Sequence, residues 1–163
     1  MALSSTRILG IDPGTGRLGF GVIDVLQGKP QLVDGGVITT PPHTDESERL
    51  LTIFDELTQI IAEHQPQIMA VEKLFFAQNV TTAINVAQAR GVILLCGKRA
   101  GLELHEYTPL QIKMALTGYG RAQKPQIQEM VRVLLGLQEI PKPDDAADAL
   151  AVALVHSHTL KLM

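Results

Sequence analysis

Apolar and polar positions fall into short blocks with two different periods. The first forty residues hold three runs of strand character. Residues 7–12 (RILGID) are nearly continuous and apolar, residues 18–25 (LGFGVIDV) alternate loosely, and residues 31–38 form a third run. PGTG and QGKP separate them as short turns, which predicts an antiparallel meander. Beyond the polar loop TTPPHTDES, Leu50, Phe54, Leu57 and Ile61 recur at helical spacing. This predicts a helix from a cap at Asp45 or Ser47 to His64, stopped by Gln65–Pro66. Residues 68–72 (IMAVE) read as a short central strand, and residues 81–97 as a helix with Ala83, Val86, Ala87, Arg90, Ile93 and Leu94 on its apolar side. A fifth strand is expected at 104–107, and a short helix from Pro109 to Thr117, since proline suits a first helical turn. The basic loop GYGRAQK leads to a helix over 125–135, and IPKP to a final helix from Asp145. The order βββ-α-β-α-β-α-α-α predicts one α/β domain over 1–163, a mixed five-stranded sheet flanked by helices.

Length and composition agree with one folded domain: 163 residues, 45% hydrophobic. No uninterrupted apolar run reaches the ~18 residues of a membrane span, and MALSSTR lacks the apolar stretch of a signal peptide, so a cytoplasmic protein without membrane contact is expected. The single cysteine, Cys96, lies in VILLC and reads as a small core residue. A net charge of −3 argues against a nucleic-acid partner, but its distribution does not. Residues 73–132 carry eight Lys or Arg against three acids, a net +5, which leaves −8 on the flanks. A basic middle suits phosphate contacts; solvated helix faces explain the same count.

The candidate chemistry is in the acids. In PDDAADALAVAL, Asp145 and Asp148 stand at i, i+3 on one helix face. Capping accounts for Asp144 or Asp145, but not for Asp148, one turn inside an apolar segment. Asp12 ends RILGID and Glu72 ends IMAVE, each at the tip of an expected central strand. An Asx-turn at Asp12, or a Glu72 pairing with Lys73 or a nearby arginine, explains either acid singly. Jointly, if the first and fourth strands are neighbours under the last helix, Asp12, Glu72, Asp145 and Asp148 meet. Four carboxylates so crowded need cations between them. Oxygen-only ligands select Mg²⁺ or Mn²⁺, and a pair of such ions is the usual device for in-line phosphoryl displacement. His156 and His158, at i, i+2, share no helix face and read as a fraying C-terminus; His43, His64 and His105 receive no role.

IDPGTGRLGFGVI, AVEKLFFAQN, AQARGV and DDAADALAVAL, in this order, resemble the bacterial RuvC Holliday-junction resolvases from Arg7 to His156. The resemblance implies a ribonuclease-H-like fold, a homodimer, and Mg²⁺- or Mn²⁺-dependent cutting of two opposed strands of a four-way DNA junction, leaving ligatable ends. It also implies a branch-migration motor complex of RuvA and RuvB type as partner. By motif, the catalytic metal ligands are Asp12, Glu72, Asp145 and Asp148. Phe75 matches an aromatic that inserts at the crossover; its neighbour Phe76 is either a plain core residue or the alternative wedge. Lys113 and Lys124 match lysines near the cut phosphate, and Arg121 shares the Lys124 loop. The helix from Asn79 to Gly97, with Ala83, Ala87, Ala89 and Gly91, is the expected dimer seam; intrachain packing explains its periodicity equally. Two alternatives compete. Asp12–Thr15 (DPGT) also has the form of an actin-like ATP-binding loop, and a non-catalytic junction-binding module would keep the basic loop and Phe75 without needing the acids.

Overall fold

The computed structural model describes residues 4–14, 16–74 and 79–160. Five strands and five helices follow in the order β1 (Ser5–Asp12), β2 (Arg17–Leu26), β3 (Lys29–Thr39), α1 (Glu46–His64), β4 (Ile68–Glu72), α2 (Val80–Arg99), β5 (Glu103–Tyr107), α3 (Pro109–Thr117), α4 (Lys124–Leu134) and α5 (Asp144–Leu160). The strands form one sheet in the order β3-β2-β1-β4-β5. β1, β2 and β3 are antiparallel, whereas β4 and β5 run parallel to β1. This is the mixed, ribonuclease-H-like arrangement expected.

Alternation along β1 sorts the core into two layers, because successive side chains point to opposite faces. Ile8 joins Ile23, Ile68 and Ala70 under α3, α4 and α5. Leu9 and Ile11 join Leu18, Val22, Met69 and Val71 under α1 and α2. Three glycines bring α5 unusually near the sheet. A Cβ at Gly10 would strike the Ala149 carbonyl, one at Gly19 the Asp145 carbonyl, and one at Gly21 the Leu150 side chain. The alanines of α5 match this from the other side: Ala146, Ala147, Ala149, Ala151 and Ala153 are all buried.

Several expectations are corrected. The buried row of α1 is Arg49, Ile53, Leu57 and Ile61, so Leu50 and Phe54 flank the core rather than enter it. In α2 the inward residues are Ala89, Ile93, Cys96 and Gly97; Ala83 and Ala87 are exposed. Arg90 lies on the β5 side because it forms a two-armed ion pair with Glu106 at 2.8 and 2.6 Å. By length and composition α2 could cross a membrane, which counting uninterrupted apolar runs did not anticipate, since small and hydroxylated residues dilute its pattern. The C-terminus does not fray at His156. That ring is buried in α5, with Nδ1 2.6 Å from the Tyr107 hydroxyl, and stacks on His105 with centroids 4.2 Å apart.

Candidate active site

Parallel pairing places Ile11 opposite Val71, so the next residues, Asp12 and Glu72, emerge side by side at the carboxyl ends of β1 and β4. Asp12 also pairs with Gly19 of β2, over which the backbone of Asp145 sits. The first turn of α5 is thereby pressed against the tip of β1. Ligand oxygens of Asp12, Asp145 and Asp148 lie within 4.8 Å of one another. Glu72 closes the group through a hydrogen bond shared with Asp12. All four acids that the sequence singled out converge.

The electrostatics are those of crowded carboxylates. Burial raises the Asp12 carboxyl to about 9, helped by the shared hydrogen bond and by the charges of Glu72, Asp148 and Asp145. Burial likewise raises Glu72 and Asp148. Lys124 answers from the first turn of α4: its Nζ lies 3.1 Å from Asp148 and 3.7 Å from Asp144. Burial draws its ammonium down, but the hydrogen bond and charge of Asp148 outweigh this and raise it. Arg17 stands 3.6 Å from Asp145. Asp144 is exposed and does not cap α5, whose leading amides, from Ala146 and Ala147, donate to the Pro143 carbonyl.

A cleft of about 460 Å³ opens beside the acids. Glu72, Lys113, Arg121, Lys124 and Asp148 line it, with Pro109, Ile112 and Ala122 among its apolar walls. The cleft thus unites an acidic corner with three of the predicted DNA-contacting cations. Phe75 and Phe76 lie outside the described residues.

Sequence reasoning overlooked Arg49. This side chain is buried, donates from Nη1 to Glu46 at 2.7 Å and from Nη2 to the Gly14 carbonyl at 2.8 Å, and so ties the loop after Asp12 to α1. The available signal was its position, four residues before Ile53 on the i, i+4 row that ends at Ile61. An arginine on a buried helix row requires a partner.

Comparisons with known proteins point the same way. The family model described as crossover junction endodeoxyribonuclease RuvC matches residues 8–156. The RuvC of Heliobacterium modesticaldum is 58% identical over 153 residues, 94% of each chain. That of Desulfitobacterium hafniense is 56% identical over 96% of this chain and 94% of its own. The structure of Thermus thermophilus RuvC in complex with a Holliday junction substrate superposes with a TM-score of 0.90, at 37% identity and 96% coverage of each chain. Relatives matched from end to end displace both the nucleotide-binding and the non-catalytic alternatives. A carboxylate corner at two parallel strand tips, cations across the cleft and this depth of kinship have one common reading: the chain belongs to the RuvC family of crossover junction endodeoxyribonucleases.

Proposed function

We propose that this chain, as a single nuclease domain, resolves four-way DNA junctions by paired, metal-dependent phosphodiester hydrolysis. The observation that carries this reading is the meeting of Asp12, Glu72, Asp145 and Asp148 from three separate elements. The donor set fits divalent cations: it is all oxygen, and burial, with the neighbouring carboxylates, raises Asp12 to about 9. Mg²⁺ or Mn²⁺, two per site, would be held by these four residues. Such ions supply an activated water and neutralise charge on the departing 3′-oxygen.

The chain's own groups do the rest. Strand pairing fixes Asp12 and Glu72, and the close approach of α5 fixes the backbone of Asp145 and Asp148. Lys124, anchored beside Asp148, offers its ammonium to the charge that builds on the phosphate. Lys113 and Arg121 hold neighbouring phosphates along the cleft. Phe75, in the segment between Glu72 and Asn79, is the proposed wedge at the crossover.

Two strands require two sites, and a C2 dimer supplies them. The outward stripe of α2, with Val80, Ala83, Ile84, Ala87, Gly91 and Leu95 exposed, is the proposed seam. By RuvC kinship the cytoplasm is the proposed compartment and a RuvA–RuvB-type motor the proposed partner.

The test is a labelled four-way junction beside a matched linear duplex, with Mg²⁺ or with EDTA. Symmetric nicks are expected in the junction alone and with the metal alone; equal cutting of the duplex would contradict the proposal. Asp148→Asn should bind the junction and fail to cut it.

A further inference from the structure

An exposed apolar face adjoins the cleft, and the cleavage chemistry above leaves it without a task. Leu110, Met114 and Tyr119 are 59%, 50% and 54% exposed. Leu110 and Met114 stand at i, i+4 on α3 with Lys113, a cleft-lining residue, between them. The loop from Gly118 to Gln123 lies directly on these side chains: a Cβ at Gly120 would come within 2.9 Å of Leu110 Cδ1 and 3.5 Å of Met114 Sδ. A side chain at 120 would press on Leu110 and Met114.

The loop is also held in place. Gly118 takes φ 72°, a left-handed conformation suited to glycine, and its amide donates to the Met114 carbonyl at 2.9 Å. The Thr117 hydroxyl donates to the Lys113 carbonyl at 2.7 Å and accepts from the Tyr119 amide at 3.1 Å. The Ala122 amide donates to the Tyr119 carbonyl at 3.1 Å, and Ala122 is buried. The backbone of Tyr119 is fixed while its ring faces solvent.

We propose that this face, together with the neighbouring Tyr119, receives nucleobases of the DNA strand whose phosphate occupies the cleft. The inference rests on the junction-cleaving reading and deepens it by naming a base-contacting surface. Phosphate contacts from Lys113, Arg121 and Lys124 position a strand but carry no base information. The strand's bases, next to those phosphates, meet whatever adjoins the cations, and that is Leu110, Met114 and Tyr119. Cationic groove and aromatic platform together are the established physical basis for holding unpaired bases. The three cations on the cleft rim favour a polyanion over an apolar protein segment.

The test uses Tyr119→Ala, Tyr119→Phe and the double variant Leu110→Ser/Met114→Ser, with 2-aminopurine placed at each nucleotide flanking the cut phosphate. Fluorescence is read on binding in an Asp148→Asn background, and KM and kcat in the otherwise native enzyme. The wild-type ring and Tyr119→Phe should quench one such base. Tyr119→Ala should lose that quenching and raise KM about tenfold, with kcat at saturation changed by less than about twofold. Unaltered quenching and KM in Tyr119→Ala and in the double variant would overturn the inference. So would a change confined to oligomeric state in sedimentation, which would assign the face to a protein contact. Cutting by Asp148→Asn would instead overturn the nuclease reading itself, so the two failures are distinct.

Discussion

At the scale of single residues, the site works against the stability of the fold. Asp12 ordinarily ionises near 4; here burial and its neighbours lift it to about 9. Between those values the folded chain binds this proton more tightly than the unfolded chain does. The contribution to stability is thus present at low pH and is lost as pH rises toward about 9. A divalent cation replaces the proton, so its stabilising effect should grow with pH. Adding Mg²⁺ should raise Tm more at about pH 8.5 than at about pH 6, by calorimetry or thermal fluorescence. Asp12→Asn removes the ionisable group and should raise the cation-free Tm at alkaline pH by at least ~2 °C while abolishing cutting. A Mg²⁺ increment independent of pH would contradict this picture. None of this was legible residue by residue. A lone Asp12 fits an Asx-turn and a lone Glu72 an ion pair; only their adjacency makes two ordinary acids one site.

At the scale of elements, local pattern and packing diverge in an instructive way. β4 and α3 have the bounds that their apolar run and their Pro109 start predicted. In α2 the apolar residues run almost all round, so the side that periodicity chose was not the one that packs; the pairing of Arg90 with Glu106 and the seat of Ile93 under the sheet decided it. The proposed seam makes a clean test, since a Cβ at Gly91 meets open space. Gly91→Glu should fold normally and sediment as a monomer; a dimer persisting at micromolar concentration would reject this surface. α5 presents the opposite case, because its carboxylates reach Asp12 only through bare backbone contact. Gly10→Ala drives a methyl group into the Ala149 carbonyl. It should cost about 1–3 kcal/mol in denaturant unfolding. It should also lower cutting further than that loss of folded protein explains, by displacing Asp145 and Asp148. Normal activity and stability would show that α5 tolerates displacement.

At the scale of the whole molecule, a chain of net charge −3 presents a positive rim around a negative corner. Binding should then follow local rather than net charge. With Lys113, Arg121 and Lys124 on phosphates, the log–log slope of junction affinity against salt should be steeper than about −2.5 per protomer. Arg121→Ala should flatten it by about one. A salt-insensitive affinity would place the DNA elsewhere.

The sequence by itself determined the order of elements, the five strands, and the identity of four acids set against apolar segments. These are local properties, written in period, turn residues and the cost of burying charge. Tertiary structure decided what is not local. It set which side of α2 faces outward, how deeply α5 settles on Gly10, Gly19 and Gly21, and the anchoring of the Asp12 loop by Arg49. It also set the carboxyls of Asp12 and Glu72 side by side at two neighbouring strand tips. Each depends on contacts between residues far apart in the chain, and hydrophobic period carries no information about which distant surface a residue will meet.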